Sequence, residues 1–211
     1  MAPLILSAPI NPGSCDTSKA VMDLPAGQTQ LVNPSTPPAY VLLGVGVQNY
    51  TCSASGTYTT AGAVASLFDV SCLQNNANYG TLQDRAFAFW NNSTSPPEVT
   101  PLNVANDVGA PLMLGQHYFI ANPNGSLSPK WDFTAGPSKD PNAFVVGAKV
   151  GDILAPTNSG TNVDWLSLNA ASGTLANHIF RVDTVGGQPP SSCVVGSELL
   201  SVKYVARYYL Y

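Results

Sequence analysis

Two histidines, His117 and His178, are the side chains of this 211-residue chain best placed to exchange protons near neutral pH. A general acid–base pair would join one of them to an aspartate, with Asp132, Asp164 and Asp183 as partners from neighbouring strand-like segments. Both histidines sit beside aromatic residues, in His117-Tyr118-Phe119 and His178-Ile179-Phe180. A histidine in that setting is more commonly a hydrogen-bonded, half-buried wall residue than a base. Metal ligation by His117, His178 and an aspartate has no fixed ligand spacing behind it, so no metal and no cofactor is assigned. A serine nucleophile lacks its G-x-S-x-G elbow, and Ser53-Ala54-Ser55-Gly56 reads as a turn. Glycoside hydrolysis needs two juxtaposed carboxylates. Glu98 and Glu198 are the only glutamates, the aspartates are scattered, and Glu98 in a proline-rich stretch reads as solvated. No motif fixes a catalytic set; His117, His178 and Asp164 are what remains as candidates.

Aromatic residues offer a different chemistry. Trp90, Trp131, Trp165 and nine tyrosines can supply flat apolar platforms, and neutral amides can bond sugar hydroxyls around them. Trp131, flanked by Lys130 and Asp132 and close after the Asn124-Gly125 turn, is the best candidate for an exposed platform, and Trp90 is the second. Trp165, inside Asp164-Trp165-Leu166, reads as core. The competing reading makes all three tryptophans core filler.

Composition bounds the partners. Eight basic and twelve acidic residues leave a net charge of −4, which provides no footprint for nucleic acid. Asn, Ser and Thr together number 52, so neutral groups must wet the surface. No window of 18 apolar residues offers a membrane span, and 45% hydrophobic residues is too many for a disordered chain. Cys15, Cys52, Cys72 and Cys193 make an even count without C-x-x-C spacing, which fits two disulfides; three pairings are open. Four glycosylation sequons begin at Asn49, Asn91, Asn92 and Asn124. Chance alone yields a few in a chain this rich in Asn, Ser and Thr, so they count only together with the cysteines and the scarcity of lysine. The combination points to a secreted, extracellular eukaryotic glycoprotein. Residues 1–9 lack a basic n-region and read as a mature start with an added Met.

The elements that must position these residues are mostly strands. Residues 1–38 form a Pro/Gly-punctuated lead-in with a short helix at Asp16–Leu24, capped by Ser14 or Asp16. Tyr40–Ser53 alternates as a strand, with Gly44 and Gly46 leaving one face flat for a close neighbour. Its alternation from Val41 to Val47 places Asn49 on the buried face. Either a bulge intervenes or that sequon is unused; an exposed, glycosylated Asn49 turns Tyr50 and Cys52 inward. Further strands read at 56–72, 112–121, 129–134, 144–154, 163–169, 178–185 and 199–211, with turn signals between them. Residues 75–111 make a loop and helix excursion, helical over 79–92 and loop over 91–111. In the last strand Leu200, Val202, Tyr204, Ala206, Tyr208 and Leu210 face one way, and the tyrosine-rich end serves as core or as a dimer edge. The fold class is all-β: one domain over 1–211, an antiparallel β-sandwich or barrel with long loops and one or two short helices.

Several stretches form a set: Tyr40-Val-Leu-Leu-Gly-Val-Gly-Val-Gln-Asn-Tyr-Thr-Cys52, Leu67-Phe-Asp-Val70, Gly115-Gln-His-Tyr-Phe119, Val163-Asp-Trp-Leu166, Phe180-Arg-Val-Asp-Thr-Val-Gly-Gly187 with Pro189-Pro190 and Cys193, and Val202-Lys-Tyr-Val-Ala-Arg-Tyr-Tyr-Leu-Tyr211. Over residues 15–211 the chain resembles an uncharacterised secreted family abundant in ascomycete fungi, with shorter bacterial relatives, whose fungal members often carry the label malate dehydrogenase. The resemblance brings no catalytic residues. It implies Cys52–Cys193 and Cys15–Cys72 bridges over the rival Cys52–Cys72 with Cys15–Cys193. The dehydrogenase label fails on physics: Gly44-Val-Gly46 lacks a third glycine, runs on into a strand, and has no βαβ context or acidic residue at the required distance within one.

Three functions stay in contention. The first is a non-catalytic extracellular or cell-surface protein that binds glycan. The second is an extracellular hydrolase using His117 or His178 with an aspartate. The third is a cell-wall structural or host-interaction protein. Each assumes the cysteines are paired, so alkylation should label none of the four without reductant and all four after reduction.

Overall fold

Close approach governs the first strand, β1 (Tyr40–Cys52). A Cβ on Gly44 would stand 2.5 Å from the ring of Tyr208, and one on Gly46 would run into the Val64 carbonyl. The flat face expected from these glycines is where a neighbouring strand and an interior tyrosine press closest. In this computed structural model, which describes residues 15–92 and 99–211, β1 is followed by β2 (Tyr58–Asp69), β3 (Met113–Ala121), β4 (Leu127–Asp132), β5 (Phe144–Ile153), β6 (Trp165–Gly173), β7 (His178–Gly186) and β8 (Leu200–Leu210). Each strand pairs antiparallel with the next, and β8 pairs with β1, which closes a barrel. Gly44 and Gly46 thus lie mid-strand in an antiparallel wall, not in a strand-to-helix turn. The N-terminal start, the Ser14 cap and Glu98 lie outside the described residues.

Eight strands leave an interior just wide enough for side chains to fill. Leu42, Ala65, Leu67, Trp131, Ile179 and Tyr208 are among those that fill it. A second core lies outside the wall. Outward residues of β1, β7 and β8, such as Val41, Leu43, Phe180, Val182 and Tyr209, pack against helices and an N-terminal strap. Residues 204–210 of β8 are consequently buried on both faces. The terminal tyrosines Tyr204, Tyr208 and Tyr209 are core.

The same double burial resolves the Asn49 conflict. Val41, Leu43 and Val45 do share a face with Asn49, and that face is the outer one, covered along the first half of β1 and open at its end. Asn49 is half-buried and accepts a hydrogen bond from Ser201 Oγ at 2.7 Å. Tyr50 turns inward, where its hydroxyl donates to the Gly187 carbonyl at 2.8 Å. The extra residue sits in β2, where Asn49 pairs with Gly62 and Tyr50 with Thr60.

Two helices provide most of the cover. A single 3-10 turn at Tyr79–Thr81 leads into α1 (Leu82–Asn91), whose Leu82, Ala86 and Trp90 recur at helical spacing and face the wall. The second, α2 (Pro101–Asp107), corrects the expected loop over 91–111. Thr100 caps it, Pro101 occupies its first turn, and Asn103 returns a bond to the Thr100 amide at 2.9 Å. The Thr-Pro pair is thus a helix start rather than a breaker.

The expected helix at Asp16–Leu24 is not formed. Asp16 accepts from the Ser18 amide at 2.9 Å, one turn closes from Thr17 to Ala20, and the chain continues extended. Asp and Ser here compete with helix by bonding the local backbone. Downstream, Asn33 bonds both the amide and the carbonyl of Met22, and Met22 and Leu31 anchor the strap in the outer core. Cys15–Cys72 ties the strap to the 3-10 turn that follows β2, and Cys52–Cys193 ties β1 to the segment before β8. Each closes a long loop and contributes roughly 3–5 kcal/mol in chain-entropy terms.

The glycine packing makes a direct expectation. Gly46→Ala should destabilise by about 1–3 kcal/mol in urea titration, because the new methyl meets backbone that cannot rotate away. Gly160→Ala, with nothing within 4 Å, should stay within about 0.5 kcal/mol of the parent.

Candidate functional site

The closed barrel keeps the two histidines apart. His117 alternates into the interior and is 2% exposed. It stacks on Trp131 with ring centroids 4.5 Å apart, and its Nδ1 lies 3.0 Å from the Lys130 carbonyl. A carbonyl only accepts, so Nδ1 carries the proton. Burial pushes the His117 pKa down to about 3, with the Lys130 carbonyl opposing and Arg181 adding to the fall. The ring is neutral at pH 7 and its Nε2 is an acceptor. His178 is exposed on β7 and meets the amide oxygen of Asn169 at 2.9 Å. Neither histidine has a hydrogen bond or ion pair to a carboxylate among the described residues. No group of three His, Cys, Asp or Glu residues stands close enough to hold a metal ion among them.

The aspartates are drawn into other partnerships. Asp132 accepts from Lys130 Nζ at 2.7 Å, from the Tyr118 hydroxyl at 2.6 Å, and from Thr134. Burial works to raise its pKa, but these bonds hold it well below the usual carboxylate range. Asp164 accepts from Arg181 through its backbone carbonyl, while burial raises the pKa of its carboxyl. Asp183 sits in the β7 irregularity between Val182 and Val185 at φ 51°, and its carboxylate meets Arg207 Nε at 3.1 Å. Burial raises the Asp183 pKa despite that cation.

Arg207 belongs to the outer core, where it fastens α1. Its Nε and Nη2 donate to Gln83 Oε1 at 3.1 and 2.7 Å, Nη2 reaches the Gly80 carbonyl at 3.2 Å, and the guanidinium lies 4.5 Å from the Tyr79 ring centroid.

The tryptophan platforms need correction. Trp131 is 2% exposed and stands inside the barrel, because β4 alternates Lys130 and Asp132 outward and the indole inward. Trp90 is 9% exposed and pinned under α1, its Nε1 donating to the Gly46 carbonyl at 3.1 Å. Flanking charges mark an alternating strand as readily as a surface ring. Trp165 packs in the outer core as expected, yet it also lines a cavity at the surface.

That cavity is part of a longer concavity. It has a volume of about 550 Å³ and lies between the strap, α1 and the irregular end of β7. It adjoins a second of about 990 Å³ that continues over Gly186–Pro190 and the start of β8. Asp84, Thr157, Asn158 and Val185 line both, so the two form one groove. Its 157–162 wall is held by Asn162, whose amide donates to the Thr157 carbonyl at 2.9 Å and whose oxygen accepts from the Gly186 amide at 2.8 Å. Phe87 supplies ring surface and Asn158 and Gln188 supply amides, while Trp165 shows the groove little more than an edge and the Asn162 amide is spent in the brace. Sequence reasoning missed this site. The amide-rich 157–162 loop and Gly186-Gly187 with Pro189-Pro190 are its only local signals. A third cavity of about 690 Å³ lies under the 134–139 loop beside Asp132, whose charge is already matched by Lys130.

Among the sequons, Asn124 is exposed at the β3–β4 turn, where its side-chain oxygen accepts from the Ser126 amide and hydroxyl. Asn91 and Asn92 are exposed at the end of α1, but their sequons continue into residues outside the described ones.

Fold and site together define a disulfide-bonded, closed antiparallel β-barrel with a groove built on its outer wall. The chain belongs to the family described as protein of unknown function (DUF3455), which it matches over residues 33–211. No curated protein and no solved structure matches it. The match begins within the strap, so Cys15, Met22 and Leu31 lie upstream of it.

The buried titratable groups carry two expectations. Because the folded pKa of His117 is below its ordinary 6.5, the unfolded chain binds the extra proton first as acid is added. The histidine's contribution is fully present above about pH 6.5 and is lost as pH falls toward about 3, by up to a few kcal/mol. His117→Gln should flatten the stability–pH curve across that window in urea titrations. Arg207→Met should cost about 3–5 kcal/mol by stranding the Asp183 carboxylate, and Asp183→Asn in the same chain should restore part of it.

Proposed function

We propose that this protein is a secreted, non-catalytic extracellular glycoprotein that binds a neutral glycan in the groove along α1. The observation that carries the reading is the lining: the half-exposed ring of Phe87, bordered by the amides of Asn158 and Gln188. Sugar recognition uses that pairing of apolar face and hydrogen-bonding edge. Two disulfides support an oxidising environment, and no helix among the described residues is long and apolar enough to cross a membrane. Asn91, Asn92 and Asn124 are exposed and open to carry glycans of the protein's own, and Asn49 is half-buried. The hydrolase reading loses support because its histidines meet no carboxylate among the described residues.

A glycan array followed by calorimetry against fungal and plant polysaccharides tests the groove. Phe87→Ala with Gln188→Ala should weaken binding tenfold or more, about 1.4 kcal/mol, while His178→Ala on the exposed face of β7 should leave it unchanged. Silence across both assays, or binding indifferent to the groove substitutions, overturns the reading.

A further inference from the structure

Two of the sequon asparagines stand at the same end of the groove. Asn91, at the end of α1, lines it together with Ser201 and Lys203 of β8. Asn49 faces Ser201 across the β1–β8 pairing and accepts from its Oγ at 2.7 Å. The sequon Asn49-Tyr50-Thr51 lies wholly within β1. Asn49 is half-buried, and the two ends of its amide differ. The carbonyl oxygen is taken by Ser201, whereas Nδ2 donates no hydrogen bond to a described residue and is open to solvent. An N-linked glycan is attached through Nδ2 and leaves the amide carbonyl intact. The Ser201 bond therefore survives glycosylation and fixes the amide at the rim of the groove, with the sugar-bearing nitrogen free.

A sugar chain fixed one hydrogen bond away from a lining residue meets the groove as a tethered ligand, at an effective concentration on the order of millimolar. It reaches the Phe87 ring and the amides of Asn158 and Gln188 before a free glycan does. We propose that a neutral N-linked glycan on Asn49 lies in the groove as the protein's own ligand and masks the site from free glycans until it is removed. This rests on the reading of the groove as a site for neutral glycan.

The test uses the full chain secreted from a eukaryotic host that adds neutral high-mannose glycans. An Asn91→Gln, Asn92→Gln background serves as the parent, so that no glycan at those positions contributes. Thr51→Ser keeps the Asn49 sequon, and Thr51→Ala removes it while leaving Asn49 and its bond to Ser201. Peptide mapping by mass spectrometry should find Asn49 occupied in the parent and in Thr51→Ser. Amide hydrogen exchange over 157–162 and 186–190 should be about threefold slower in those two than in Thr51→Ala. The high-mannose oligosaccharide released from the parent, titrated by calorimetry, should bind Thr51→Ala about tenfold more tightly than the parent. A tethered ligand at about 1 mM over a site of about 0.1 mM affinity predicts that factor. An unoccupied Asn49, or a glycosylated parent that exchanges and binds like Thr51→Ala, overturns this proposal alone. So does a Thr51→Ala protein that binds array glycans but not the released oligosaccharide. Silence of Thr51→Ala toward every glycan overturns the groove reading and this proposal with it.

Discussion

An apolar barrel wall cannot face water, and the stretch formed by β1, β7 and β8 is apolar on both sides. Val41, Leu43, Val45, Phe180, Val182 and Tyr209 point away from an interior that is already filled. They are covered by α1, α2 and the strap, all supplied by the segments before β1 and between β2 and β3. Burial at roughly 25 cal/mol per Å² of apolar surface favours this closure without directing it. Direction comes from polar fastenings: Arg207 to Gln83 and Gly80 under α1, Trp90 to the Gly46 carbonyl, Asn33 to Met22 in the strap.

The cover also creates the functional surface. A strand that would otherwise pair along its whole length departs from regularity between Val182 and Val185, and Asp183 turns out toward Arg207 at positive φ. The wall there no longer presents a smooth face to α1. Between them and the Asn162-braced loop lies the groove. Of its three carboxylates, Asp23, Asp84 and Asp183, the last is a structural partner of Arg207 as well as a lining group. The amides of Asn158 and Gln188, in contrast, are only partly spent within the fold. The interior follows the opposite logic, since its polar groups are enclosed by aromatic rings and reach solvent poorly.

Much of the architecture is legible in residue order. Glycines at 44 and 46 announce a tight strand contact, and eight extended segments appear near their observed places. The helical spacing of Leu82, Ala86 and Trp90 is also visible locally. Three misreadings share a cause: local patterns have more than one physical realisation. Thr100-Pro101 terminates a helix or starts one, depending on which side the chain continues. Lys130-Trp131-Asp132 describes an exposed ring or an inward ring on a charged strand, because alternation does not say which face is inside. Asp16 caps a helix or bonds a local turn with equal ease.

Strand content, paired cysteines, a surface wetted by neutral amides and hydroxyls, and the absence of a nucleotide-binding turn follow from composition and short-range spacing, since each depends on residue type within a few positions. Closure into a barrel rather than a sandwich, the second core outside the wall, and the groove depend on contacts between residues far apart, such as Gln83 with Arg207 and Gly44 with Tyr208. Only tertiary packing brings those together. The free energy that selects one face of a strand for the interior belongs to the whole set of neighbours that cover it, and no local stretch of chain contains that set.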